Sequence, residues 1–282
     1  MEHKNLTICK ANKIIEAGYK LTLNEQRAVL ACIGQVNSME ALLKTDEFEL
    51  SAKDFAQLFS VSGENAYQAL IEVTKSLFNR YVIIENPYPD RPKVKKLELR
   101  WISSIKHLPD DGKVIVRFSQ DVLPYLSELK GSFTRYKLEH VGKMTCVYAI
   151  RLYELLMQWK STGKREVEID WLKKQLQLDD SYERMNNFKA RVIDPAINDI
   201  NKNSNYNVSW TQRKTGRRVT HLTFQFSEKL PPAPEKKAKA KPKPKTDNIE
   251  FYAEMRKRFG ESIPAGAIPP EAIEILKSQG RW

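Results

Sequence analysis

The stretch from Val167 to Phe226 constrains this chain most, because strand, helix, turn, helix and basic hairpin follow one another there without interruption. Val167-Glu-Ile169 alternates, and Asp170 stands where a helix N-cap is wanted. Trp171, Leu172, Leu176 and Leu178 recur at roughly helical spacing. Past Asp179-Asp-Ser181 a second helix is expected, with Phe188, Val192, Ile193, Ile197 and Ile200 inward and Arg184, Lys189 and Arg191 outward. Pro195 falls inside it and predicts either a kink near Asp194 or two short helices with Asp194 capping the second. A hairpin then pairs Val208-Ser-Trp210 with Leu222-Thr-Phe-Gln-Phe226 across Arg213-Lys-Thr-Gly-Arg-Arg218. From Arg184 to His221 there are eight Lys or Arg against two Asp, so this face is cationic. A helix offered to a groove beside a cationic loop is the winged-helix arrangement for DNA.

The first half runs in the same order. Thr22-Leu-Asn-Glu25 is a capping box opening a helix with Leu23, Leu30 and Ile33 on its apolar face. Phe48-Glu-Leu50 reads as a strand, and Ser51-Ala-Lys-Asp54 as a cap for a helix carrying Phe55, Leu58 and Phe59. After a turn at Ser62-Gly63, a helix over 64–79 is expected with Tyr67, Leu70, Ile71 and Phe78 inward. Strands over Leu97–Ile102 and Val114–Phe118 follow, separated by Asp110-Asp-Gly112. The helix before the second set, Tyr148 to Trp159, puts Leu152, Leu155, Leu156 and Trp159 on one side. The fold class is therefore α+β, with two tandem winged-helix domains over residues 1–132 and 133–230. Positive charge is denser in the second, which should therefore contribute more of the phosphate affinity.

A flexible Lys/Pro/Ala linker is expected over 231–246, and a short helical tail over 247–282, with helices at 248–259 and 270–278. The tail reads either as a peptide that docks on a partner or as an appendage without a specific role. A net charge of +12 favours a polyanionic partner. Cys9, Cys32 and Cys146 are too few and too scattered for a disulfide framework. The polar start and the lack of a long apolar run predict a cytoplasmic protein with no membrane contact. His3, His107, His140 and His221 show no ligand spacing, so no metal site, cofactor or catalytic residue is expected.

Ser181-Tyr-Glu-Arg-Met185, Phe188-Lys-Ala-Arg-Val192, Gly216-Arg-Arg-Val-Thr-His221, Phe133-Thr-Arg-Tyr136, Ala149-Ile-Arg-Leu-Tyr-Glu154 and Ile197-Asn-Asp-Ile-Asn201 together resemble the iteron-binding plasmid replication initiators, the theta-replication Rep proteins. The likeness covers roughly residues 5–228. It implies that the second domain is the main DNA reader and the first supplies a secondary contact and dimerisation, on double-stranded DNA presented as direct repeats at an origin and an inverted repeat at an operator. It also implies a homodimer in exchange with a monomer, recruitment of the host initiator and replicative helicase, and no catalytic activity. Carried over by position, Arg184, Lys189 and Arg191 are groove-facing, with Ser181 and Tyr182 at the start of the helix. Relatives often have three consecutive basic residues after the phenylalanine. Here Ala190 is the middle one, and a methyl group meets thymine but does not grip guanine.

Arg184, Lys189 and Arg191 also fit an ordinary solvated helix face, and the flanking motifs favour DNA contact. Arg213, Lys214, Arg217 and Arg218 are expected to reach phosphates from the wing, although charges at a hairpin tip also serve solubility. In the first domain Asn65, Gln68 and Lys75 are the polar positions of the second helix. A dedicated winged-helix repressor predicts the same contacts. A DNA-nicking enzyme is the reading from another class, and the scattered histidines count against it.

Overall fold

The computed structural model describes residues 6–59, 66–229, 249–260, 263 and 267–282. The chain separates into two compact units, residues 1–229 and residues 230–282. The linker expected at 231–246, the turn at Ser62-Gly63 and the candidate Asn65 lie outside the described residues.

The first unit opens with β1 (Thr7–Ala11) and α1 (Asn12–Ile15), followed by α2 (Leu23–Ile33). The expected capping box is complete. The Thr22 N–H donates to Glu25 Oε2 at 2.6 Å, and the Glu25 N–H to Thr22 Oγ1 at 3.3 Å. Next come β2 (Phe48–Ser51), α3 (Ala52–Phe59) and α4 (Ala66–Phe78). Only 1% exposed, the Glu25 carboxylate also accepts from Ser76 Oγ and, at 3.0 Å, from Arg80 Nε. The group that caps α2 thus anchors the end of α4 as well. Phe78 was expected inward, but Leu77 takes that place and Phe78 is 37% exposed beneath the Arg100 guanidinium.

The expected strand over 97–102 is two strands. β3 (Tyr81–Glu85) pairs with β4 (Lys96–Arg100), whereas β5 (Ile102–Leu108) pairs with β6 (Lys113–Phe118). The break falls at Trp101, fully buried with its ring edge-on to Tyr19 at 5.2 Å. Burying that indole redirects the chain from one sheet to the other.

Then follow β7 (Phe133–Lys137), which pairs antiparallel with β1, α5 (Glu139–Gly142), α6 (Val147–Met157), β8 (Lys164–Glu168) and α7 (Ile169–Gln175). Glu168, not Asp170, is the N-cap of α7, and Asp170 lies in its first turn. A 3₁₀ turn at Asp180–Tyr182 leads to α8 (Met185–Phe188), a π turn over Lys189–Ile193 and α9 (Asp194–Asn203). The wing is β9 (Tyr206–Thr215) with β10 (Arg218–Glu228). Its three-stranded sheet runs β8-β10-β9, and that of the first half β2-β6-β5. In both, the strand before the helix pair lies beside the second hairpin strand. Two tandem winged helices with one topology are present.

No break occurs at Pro195. Ile193 and Asp194 keep helical backbone angles, and the Asp194 N–H bonds to the Lys189 carbonyl five residues back. Proline lacks the N–H for the carbonyl four residues back and crowds it. A widened π turn just before the ring absorbs both faults.

Between Ala149 and Met157 every side chain of α6 is buried, while Trp159, expected on the same stripe, is 47% exposed past the helix end. Two of those buried residues are charged. Glu154 accepts from Lys10 Nζ at 2.6 Å and from the Tyr136 hydroxyl at 2.5 Å, and Arg151 Nη1 lies 3.7 Å away. Arg151 also donates to the Ile15 and Ala17 carbonyls and covers the Tyr19 ring. Burial alone would raise the Glu154 pKa, but Lys10 and Arg151 outweigh it and hold the carboxyl below its ordinary range.

The second unit contains α10 (Ile249–Phe259) and α11 (Pro270–Ser278), close to the expected bounds. Ile249, Ile268, Ala272 and Leu276 form its small core. Among the described residues no helix is long and apolar enough to cross a membrane.

Candidate nucleic-acid interface

The helical run from Met185 to Asn203 is fixed by one buried stripe. Phe188, Val192, Ile193, Ile197 and Ile200 are all 6% exposed or less, as their spacing predicts. Burial of each such side chain contributes about 1.5–3 kcal/mol, which clamps the run to the core. Asp199, on the same helix, accepts the Thr145 and Cys146 N–H groups at 2.8 and 2.7 Å, capping α6. The opposite face is therefore presented rigidly to solvent.

Arg184, Lys189 and Arg191 are exposed on that side, and none has an ion pair among the described residues. Arg184 is the N-cap of α8, with extended backbone. Recognition helices meet base edges with their N-terminal residues, so this position is suited to contact. Helical periodicity puts Lys189 and Arg191 on opposite edges of the outward face and Ala190 at its middle. Asn186, one turn before Ala190, is also exposed and has no side-chain partner among the described residues. It is absent from the residues expected on this face, although an asparagine side chain can bond an adenine edge through two atoms. Its place four residues before Ala190 was the available signal.

Ser181 and Tyr182 already have partners within the chain. The Asp179 carboxylate accepts from the Ser181 hydroxyl at 2.5 Å and from its N–H at 3.0 Å. Those two bonds hold the Asp179 carboxyl below its ordinary range. Tyr182 is half-buried and packs on the core. Both residues shape the turn before the helix.

On the wing, Thr215 faces Arg218 across a two-residue connection, Gly216 and Arg217, with Gly216 at φ +62°. A left-handed residue matches the strand twist in such a turn, and glycine takes it without strain. Arg213, Lys214, Arg217 and Arg218 are all exposed, but they fall into two classes. Arg213 Nη2 lies 2.8 Å from Glu166 on β8, and Arg218 Nη2 3.0 Å from Asp170 on α7. Hydrogen bonds from Arg213 and Thr223 hold Glu166 below the ordinary carboxylate range. Lys214 and Arg217 have no ion pair among the described residues.

In the first domain Gln68 and Lys75 lie on the exposed face of α4. Gln68 Nε2 donates to Glu72 one turn away at 3.2 Å, which leaves Lys75 the more available of the two. No group of three or more His, Cys, Asp or Glu positioned to hold a metal occurs among the described residues.

Comparison with known proteins agrees with this architecture. Residues 7–157 match the family model described as initiator replication protein, first winged helix, and residues 168–226 match that of the initiator Rep protein's second winged helix. A replication initiation protein of Escherichia coli is 32% identical over 228 residues, covering 78% of this chain and 69% of that protein. The PI protein of Escherichia coli is 25% identical over 254 residues, covering 79% and 83%. The crystal structure of Pi initiator protein in complex with iteron DNA superposes with a TM-score of 0.68 at 25% identity, covering 81% of this chain and 99% of that one.

Proposed function

The chain belongs to the initiator replication protein family, and from that premise we propose that it binds directly repeated duplex sequences at a plasmid origin and starts replication there. One observation carries the reading. A rigid helix exposes Arg184, Asn186, Lys189 and Arg191 beside a cationic wing, in a chain that superposes on an initiator solved with iteron DNA. In this reading Arg184, Asn186 and Arg191 read base edges, Lys189 contacts the DNA beside them, and Lys214 and Arg217 hold the backbone. Gln68 and Lys75 on α4 add a weaker contact from the first domain.

The same reading includes a dimer that binds an inverted repeat and represses the chain's own promoter. The outer edge of β5 has no strand partner among the described residues, and an open edge invites pairing with a second copy. Recruitment of a host initiator and helicase, a cytoplasmic location and the absence of catalysis complete it. Footprinting the protein on DNA flanking its coding sequence tests the proposal. Protection of tandem repeats, each roughly two helical turns long, is expected. Affinity for that DNA no greater than for a random duplex of equal length would overturn it.

A further inference from the structure

Trp210 lies on β9, half-buried, where the wing meets the start of α9. Its indole N–H donates to Asp194 Oδ1 at 3.2 Å, and the Lys189 ammonium sits 5.3 Å from its ring centroid. Across the sheet Trp210 is paired with Phe224, which is fully buried, so the two side chains share the inward face of the sheet. Lys189 and Asp194 are five residues apart and would point in different directions on an ordinary α-helix. They are joined here by the i→i+5 bond of the π turn, which brings both to the side that faces the wing.

We propose that Trp210 is a positioning residue for DNA recognition. Held by Asp194, it directs the Lys189 ammonium along the groove-facing edge and couples the wing to the reading helix. A lysine head resting on an aromatic face has fewer directions to lose on binding than one free in water. Trp210 and Asp194 themselves touch no DNA. The inference rests on the proposal that Lys189 contacts DNA.

A double-mutant cycle on the full chain tests it, using the duplex repeat mapped by footprinting and a random duplex as probes. Trp210→Leu should weaken repeat binding roughly two- to fivefold, the size expected of an exposed cation–π contact. In a Lys189→Ala background the same change should have no further effect. Trp210→Phe retains a π face for Lys189 but loses the bond to Asp194, so its affinity should fall between those of the native chain and Trp210→Leu. Lys189→Arg should retain the coupling, because a guanidinium also sits over an indole. Equal losses from Trp210→Leu in both backgrounds would mean that Trp210 only maintains the wing's fold, and would overturn this inference while leaving the DNA contact intact. Unchanged affinity in Lys189→Ala alone would overturn both the contact and the inference.

Discussion

Lys10 and Lys189 are the same side chain put to opposite uses. Lys10 is 1% exposed and bonded to Glu154 at the junction of β1 and α6, with desolvation lowering its pKa. Lys189 is exposed, and among the described residues its ammonium meets only an aromatic face. The buried cluster fixes geometry and is closed to any ligand. The cations of the reading face and of the wing are held loosely or not at all, which keeps them free to exchange partners for phosphate or base. Net charge therefore overstates what DNA can meet. Arg27, Arg151 and Arg165, none more than 8% exposed, belong with Lys10 on the structural side.

The largest effect expected from this contrast is in the interior. Glu154→Gln keeps the shape but leaves Lys10 and Arg151 buried with no compensating charge, which should cost about 3–5 kcal/mol of stability. Because the Glu154 carboxyl is held below its ordinary range, its contribution is present at neutral pH and is lost as pH falls through that lowered value. Urea titration at several pH values reads both. A loss below about 1 kcal/mol at neutral pH would show that the cluster is not the anchor described here.

What could be read in the sequence follows the same divide. The stripe Phe188–Ile200, the Thr22–Glu25 box and the wing were legible because each is written in local periodicity or turn chemistry. The role of Glu154 was not, since its partners lie 144 and 18 residues away and inside-versus-outside is decided by packing. Leu97–Ile102 was read as one strand because its alternation carries no sign of where a tryptophan must turn inward. At Pro195 the sequence predicts a kink or a split helix, but the π turn arises from the helix being clamped on both sides of the proline. The division of the wing cations into paired and unpaired depends on carboxylates of β8 and α7, nearly fifty residues away in sequence.

A medium effect should separate the two second helices. Arg184→Ala or Arg191→Ala is expected to lower affinity for the repeat by about 1–3 kcal/mol each, with a smaller loss on random duplex. Gln68→Ala and Lys75→Ala should each cost less than either arginine, because Gln68 is held by Glu72 and α4 carries no comparable group of free cations. Fluorescence anisotropy on both probes gives the comparison. Equal losses from the two helices would place the reading function in both domains alike.

The smallest effect concerns the wing, and it distinguishes charges that are free from charges that are already answered. A phosphate contact that releases a condensed counterion contributes about 0.9 to the slope of log K against log salt. Lys214 and Arg217 have no carboxylate partner among the described residues, so changing both to Ala should reduce that slope by up to about 1.8, with similar losses on repeat and random DNA. Arg213 and Arg218 must first leave Glu166 and Asp170, and those carboxylates stay behind as uncompensated negative charge near the backbone. Removing Arg213 and Arg218 together should therefore lower the slope by less than removing the unpaired two. The ion pairs are exposed and contribute little to stability, so the difference will appear in salt dependence sooner than in stability. If the paired arginines give the larger drop in slope, the two carboxylates orient cations toward DNA, and the division of the wing drawn here is reversed.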